Sequence, residues 1–391
     1  QRWCKVFHIA TDQDIINGKV TDVYFVRTKQ ILEAEKVNKT VKAEFIVKEF
    51  PQGRKWGVLT GIDDACNLLK GKPLNVRGMK EGTIFREYEP VMTIEGKYLD
   101  FGIYETALLG LLCQSSGIAT KAARCKKAAG NRAVISFGSR RMHPALAPMI
   151  ERNAFLGGCD GVSVVESAED LGIEPTGTIP HALVLLMGDT VRAIQAFHKV
   201  IDKKVKRVAL IDTFEDEKFG ALNAARALGK DLFAVRLDTP ASRRGNFLHI
   251  LKEVRWELNL RGFKDVKLFV SGGIDEDDIL ELNEAVDAYG VGTAISNAQV
   301  LDFAMDIIEI DGEPIAKRGK MSGEKSIFRC PSCYSSISVP FRTSPPKICP
   351  CRAKYENLIS DLVKNGKILN KDSKPKEIRD YVLRQLGHYE L

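Results

Sequence analysis

The chain has 391 residues, 44% hydrophobic and 28% charged, with a formal net charge of +7. That length allows two or three domains around a sizeable core, and the composition is ordinary for a globular protein. No apolar stretch reaches membrane-spanning length, and so small a basic excess leaves anionic small molecules as partners while making nucleic acid an unfavoured one.

The N-terminal Gln1, Arg2, Trp3 and Cys4 precede no long apolar core, so they do not read as a signal peptide, and a cytoplasmic protein is expected. Residues 1–115 read as an α+β domain. Val20–Val26, Val41–Val47, Gly57–Leu59, Leu74–Val76, Gly82–Glu87 and Pro90–Ile94 have the look of short strands. Asp63–Leu69 reads as a helix. Tyr104–Ala129 reads as a long helical region with a break at Ser116–Gly117.

Residues 116–325 follow a different rhythm. Seven apolar runs, each ending on a polar residue or glycine, alternate with helical stretches. They are Ala133–Gly138, Gly161–Glu166, Thr176–His181, Val208–Asp212, Phe233–Asp238, Lys267–Gly273 and Ala288–Thr293. Such alternation predicts a parallel sheet, and seven units over this length fit a (β/α) barrel better than an open sheet. Met305–Ile310 is left to supply an eighth strand or to return to the first domain. A basic, glycine-containing loop, Lys317–Gly323, follows. Residues 326–391 shift to cysteine, proline and serine and then to a basic tail, which reads as a small third domain.

Barrel chemistry gathers at the C-terminal ends of the strands. The strand ends here therefore become neighbours. Phe137, Ser139, Arg140 and Arg141 close the first run, and two adjacent guanidinium groups beside an aromatic suit an anion carried on a flat ring. Asp212 and Asp238 end two others, with Arg236 on the same strand face as Asp238. Carboxylates there suit ribose hydroxyls, Mg²⁺ or a cationic transition state; a structural ion pair is the plainer alternative. Ser271-Gly272-Gly273 and Gly290-Val291-Gly292-Thr293 supply two glycine-rich loops of the kind that admit a phosphate to backbone N–H groups. His181 sits at the same mouth.

The clearest metal signal is Cys330-x2-Cys333 followed by Cys349-x-Cys351, four thiolates for one closed structural zinc. Pro331, Pro346 and Pro350 fit the tight turns between them. Cys4, Cys66, Cys113, Cys125 and Cys159 read as buried thiols in a reducing compartment. The lysines of the tail, Lys364, Lys367, Lys371, Lys374 and Lys376, are interrupted by acids and read as a solvated face rather than a nucleic-acid patch.

Taken together, these segments resemble the nicotinate phosphoribosyltransferases, within the type II phosphoribosyltransferases, from about Asp22 to Gly323. Thr21-Asp22-Val23-Tyr24 is similar to the family's T-D-x-Y signature, Phe137–Arg141 to F-G-[ST]-R-R, and Gly177–His181 to G-T-x-x-H. Asp212-Thr213, Arg236–Asp238, the two glycine ends and Lys317–Lys320 follow in order. The resemblance implies an α/β N-terminal domain, an incomplete barrel, and transfer of a phosphoribosyl group to nicotinate in NAD biosynthesis. It implies that Phe137 stacks on the pyridine ring and that Tyr24 of a partner subunit covers the other face, so that a homodimer or larger homo-oligomer shares its sites. Arg140 and Arg236 would hold pyrophosphate, phosphate or carboxylate. Asp212 and Asp238 would face the ribose, and the glycine loops its 5′-phosphate. Mg²⁺ would accompany phosphoribosyl pyrophosphate. Many members also couple the reaction to ATP through a phosphorylated histidine at the position of His181; here Pro180 precedes it where members often carry alanine. The cysteine-rich tail lies outside the family pattern. Competing readings are a nicotinamide or quinolinate phosphoribosyltransferase, a barrel oxidoreductase or synthase for a phosphorylated ligand, and a zinc-ribbon nucleic-acid binder.

Overall fold

The computed structural model describes residues 6–344, 347–369 and 373–391; Gln1, Arg2, Trp3, Cys4, Pro346 and Lys371 lie outside the described residues. The chain divides into two compact units, one of residues 1–120 with 299–390 and one of residues 121–298.

The first unit begins differently from the expected strand at Val20–Val26. Val23–Ala34 is a helix entered at Asp22. The Asp22 N–H donates to the Thr106 hydroxyl at 3.2 Å, and that hydroxyl donates back to the Asp22 carboxylate at 2.8 Å. Thr-Asp ahead of an apolar stretch is a helix-start signal, and Phe25 alone of this helix is buried, so its apolar residues mark no sheet face. The strands that follow are β1 (Thr40–Val47), β2 (Gly57–Val58), β3 (Leu74–Gly78), β4 (Ile84–Phe85) and β5 (Met92–Lys97). Glu105–Ala129 is one unbroken helix. Gly117 does not break it; a Cβ there would stand 2.5 Å from the Gln299 carbonyl oxygen, so the glycine admits a neighbouring backbone. Ser116 is likewise spent on packing, its hydroxyl donating to the Thr60 carbonyl at 3.1 Å.

The second unit holds β6 (Ala133–Ser136), β7 (Gly161–Val162), β8 (Arg207–Leu210), β9 (Leu232–Leu237), β10 (Lys267–Ser271) and β11 (Ala288–Val291). They form one parallel sheet in the order β7-β6-β11-β10-β9-β8, half of a barrel with intervening helices. Thr176–His181 is not a seventh strand. The Thr176 N–H donates to the Val162 carbonyl at 2.7 Å, as a strand would begin. Pro180, which has no N–H to offer a ladder, then leads into the helix His181–Met187. The edges β7 and β8 stay unjoined, which is the incompleteness the family resemblance implies.

One face of this sheet carries the buried cluster Ile135, Val208, Ala234 and Phe269, with Phe137 and Ala288 against it. Alternate residues share a face. Counting onward in twos carries Phe137, Asp212, Arg236, Asp238, Ser271 and Gly290 to the C-terminal ends of their strands on that same side.

The chain then returns to the first unit. Met305–Ile310 lies in β12 (Phe303–Ile310), which pairs antiparallel with β1 and is no eighth barrel strand. After β13 (Glu313–Pro314) come β14 (Lys325–Arg329), β15 (Ser336–Pro340), β16 (Glu356–Asn357), β17 (Ser360–Lys364) and β18 (Lys367–Ile368). A seven-stranded sheet in the order β13-β12-β1-β5-β3-β17-β18 closes over Phe45, Met79, Phe85 and Met92, all fully buried. Residues 326–390 are thus joined to the first unit: β17 pairs with β3, and the Trp56 indole N–H donates to the Glu390 carbonyl at 2.6 Å. Among the described residues no helix is long and apolar enough to cross a membrane.

Candidate active site at the half-barrel rim

A cavity of about 670 Å³ opens at the strand ends of the second unit. Phe137, Ser139, Arg140, Arg141, Arg236, Asp238, Ser271, Gly272, Gly273, Gly290, Gly292 and Thr293, all singled out in the sequence, line it. Arg140 and Arg141 stand exposed on the short turn Ser139–Arg141, free to meet a solute.

Glycine is required at several of these points for different reasons. A Cβ on Gly290 would lie 2.5 Å from the Phe137 ring, so this glycine makes room for the aromatic. A Cβ on Gly138 would lie 2.4 Å from the Gly292 carbonyl oxygen. Gly272 and Gly273 hold φ of 86° and 66°, a left-handed turn that other residues resist. Their N–H groups are the backbone donors the sequence assigned to a phosphate.

The charged side chains form one network. Arg236 donates from Nε to the Ser271 hydroxyl at 2.8 Å and from Nη1 to the Thr178 hydroxyl at 2.7 Å, and its Nη2 lies 3.1 Å from Asp238 Oδ2. Its guanidinium also stands 5.4 Å from the Phe137 ring centre, within cation–π range. Ser271 Oγ donates to Asp238 Oδ1 at 2.6 Å. The Asp238 N–H donates to Asp212 Oδ2 at 3.2 Å. His181 closes the circle, with Nε2 3.6 Å from Asp238 Oδ2 and Nδ1 3.0 Å from the Thr213 hydroxyl. Burial raises the pKa of Asp212 above its ordinary 3.8, against the pull of nearby His181. Its Oδ1 is buried with no hydrogen-bond partner among the described residues, an open acceptor at the edge of the network.

Two groups escaped the sequence reading as side chains with a task. Thr178, inside a quoted motif, fixes Arg236. Arg244 is buried behind the glycine loop; a lone arginine in a polar turn carries no pattern that would have found it. Tyr24 belongs to the first unit, where it is 56% exposed with its ring 4.3 Å from that of Phe25. Lys317 and Lys320 of the basic loop both pair with buried Asp306, Lys317 at 2.6 Å.

The four tail cysteines also come together. Their Sγ atoms all lie within 4.8 Å of one another, Cys330 to Cys351 at 3.3 Å and Cys333 to Cys349 at 3.5 Å. The Ser335 hydroxyl beside Cys349 lowers that thiol's pKa to about 6. This donor set suits one metal ion.

A half-barrel with paired acids, arginines and glycine turns at one rim has the layout of an enzyme for anionic substrates. Comparison with known proteins agrees. The N-terminal domain model of quinolinate phosphoribosyl transferase matches residues 22–116, and the C-terminal domain model matches residues 118–306. A nicotinate phosphoribosyltransferase of Mycobacterium tuberculosis, pncB1, is 30% identical over 339 residues, covering 77% of this chain and 74% of its own. The crystal structure of a nicotinate-nucleotide pyrophosphorylase from Pyrococcus furiosus is 54% identical, covers 99% of this chain and 100% of its own, and superposes with a TM-score of 0.97. Human nicotinic acid phosphoribosyltransferase shares the fold, with a TM-score of 0.75 over 95% of this chain and 94% of its own at 18% identity. The chain belongs to the type II phosphoribosyltransferases, the family described by the quinolinate phosphoribosyl transferase domains.

Proposed function

We propose that this protein is a nicotinate phosphoribosyltransferase, joining nicotinate to 5-phosphoribosyl-1-pyrophosphate to give nicotinate mononucleotide and pyrophosphate in NAD biosynthesis. The observation that carries the reading is the single cavity in which an aromatic face, two exposed guanidinium groups and two glycine turns converge. Phe137 supports the pyridine ring, and Arg140 or Arg141 takes its carboxylate. The turns at Gly272-Gly273 and Gly290–Thr293 take the 5′-phosphate. Phosphoribosyl pyrophosphate enters as its Mg²⁺ complex. The ring nitrogen attacks C1 of the sugar as the bond from C1 to pyrophosphate breaks. Positive charge grows on the ribose in that transition state, and the Asp212 and Asp238 carboxylates stabilise it. Arg236 steadies Asp238 and faces the leaving group.

Tyr24 of a neighbouring subunit covers the open face of the base, which makes the working form a homo-oligomer with shared sites. ATP coupling through His181 is the finer form of this reading, since its ring already lies beside Asp238. The cysteine cluster holds zinc: four thiolates at about 2.3 Å from a tetrahedral zinc stand close to the sulfur spacings seen here. Clustered thiolates suit a reducing compartment, which favours the cytoplasm.

The deciding experiment supplies phosphoribosyl pyrophosphate with nicotinate, nicotinamide or quinolinate and follows mononucleotide formation, with CO₂ release marking quinolinate. The highest kcat/KM is expected for nicotinate. A higher value for either of the others would overturn the substrate assignment.

A further inference from the structure

Arg244 is 9% exposed, yet it lies in a short surface segment, Ala241–Arg244, whose other members are exposed. Burial lowers its pKa below the usual guanidinium range, while Asp278 and Asp238 pull it back. Burying a guanidinium is costly unless its donors are engaged. Here the engaged partners are main-chain carbonyls. Nε donates to the Thr239 carbonyl at 2.7 Å, and Nη2 donates to the carbonyls of Ser271, at 3.1 Å, and Gly272. Thr239 follows the end of β9, and Ser271 ends β10. One side chain therefore clamps two neighbouring strand ends by their backbones.

The place of the clamp matters. A carbonyl turned back toward Arg244 fixes the peptide planes on either side of Gly272, the residue with φ of 86°. The N–H groups of that turn are then held toward the cavity rather than free to swing. A Cβ at Gly272 would stand 3.0 Å from Asp238 Oδ1 and 3.4 Å from Arg244 Nη2, so turn, acid and guanidinium are packed to van der Waals contact. Arg244 itself is absent from the cavity wall.

We infer that Arg244 is a positioning residue for phosphate recognition: from behind the Ser271–Gly273 turn it holds the backbone donors that receive the 5′-phosphate of the phosphoribosyl substrate. The inference rests on the proposed reaction. It adds a specificity-determining role to a residue that touches no substrate. Preorganised donors act because their geometry is fixed before the ligand arrives. Losing the clamp should therefore weaken the phosphoribosyl substrate and spare the base.

The test compares wild type with Arg244→Ala and Arg244→Lys in steady-state kinetics and in isothermal titration with ribose 5-phosphate. Far-ultraviolet circular dichroism checks the fold. Expected is a rise in KM for phosphoribosyl pyrophosphate of about tenfold or more, the scale of one lost charge-assisted hydrogen bond. The KM for nicotinate should stay within about twofold. Ribose 5-phosphate should bind wild type and lose affinity in parallel in the variants. Added guanidinium ion should recover part of the loss in Arg244→Ala and none in Arg244→Lys, whose chain fills the site without spanning three carbonyls. An unchanged KM for phosphoribosyl pyrophosphate in a folded variant overturns the inference, as does an equal rise in both KM values. Failure of both variants to fold overturns it too, by showing that Arg244 serves general stability. Wild type that turns over no pyridine acid sinks the proposed function instead, and the ribose 5-phosphate titration still reports on Arg244.

Discussion

The rim of the half-barrel and the C-terminal part of the first unit differ in how many of their charged groups are left open. In the first unit, charges are closed off in pairs. Glu324 accepts from Lys42 at 2.9 Å and from Arg77, Lys325 meets Glu44 at 2.7 Å, and Arg329 meets Glu89 at 3.1 Å. The four cysteines there form an equally closed set. At the rim, Asp212 keeps a buried oxygen without a partner among the described residues, Arg140 and Arg141 stand exposed, and the glycine turns present backbone. Closed polar sets stabilise a fold; open ones leave valences for a ligand. The contrast sets closed charge pairs in one unit against groups at the proposed site that stay open to a ligand.

The sharpest way to break that contrast is to remove one group from each side of the proposed shared site. Tyr24→Ala and Asp212→Ala should each fall to about 1% of wild-type activity or below, because each removes an element of transition-state or base binding. Mixed one-to-one, randomly assorted dimers should recover about a quarter of wild-type activity, since one site in each heterodimer is intact. No recovery, with heterodimers shown to form, would mean that each subunit builds its site alone.

A smaller effect is expected from the closed side. Cys333→Ser should lose bound zinc and lower stability by on the order of a few kcal/mol, read as a fall in Tm, while kcat of the folded protein stays near wild type. Retention of zinc in that variant, or a kcat collapse at full folding, would show that the cluster is not a separate structural centre.

Glu105 marks an exception inside the first unit, and its effect is the smallest of the three. Burial pushes its carboxyl up to about 7, with Asp306 adding repulsion and Lys317 opposing. The folded chain therefore holds a proton that the unfolded chain, near the ordinary 4.5, has released. That stability is present in full below the ordinary value and is lost as pH rises through about 7. Glu105→Gln should flatten the decline of Tm between about pH 5 and 8 and raise Tm at the alkaline end by about 2–4 °C. An unaltered pH profile would place the titrating group elsewhere.

Sequence reading succeeded where the signal was local and repeated. The six strands of the half-barrel are short apolar runs with polar ends, and five of the ends followed from that within about two residues; the run Gly161–Glu166 was read too long, since its strand stops at Val162 and Glu166 already belongs to the helix Val165–Leu171. It failed where one residue type serves two purposes. Gly117 looks like a helix break and is a packing notch. Thr176–His181 has the composition of a strand, and Pro180 keeps it from the ladder. Val20–Val26 is rich in β-branched residues, yet Asp22 starts a helix there. At the site, Phe137 was legible as the aromatic that closes its run beside two arginines, and Arg236 and Asp238 because strand parity puts them on one face. Arg244 was not, since its burial depends on carbonyls from two distant strand ends.

The pairing of β1 with β12 has a consequence for how the chain is made. The Thr40 N–H donates to Asp311 Oδ1 across 271 residues of sequence, at the far end of that pairing. The whole half-barrel lies inside this loop as a continuous segment. As the chain emerges during synthesis, the half-barrel is complete while β1 still lacks one of its two neighbours. The slow, long-range closure falls to the flanking sheet, and an unpaired β1 edge is what a nascent chain exposes in the meantime.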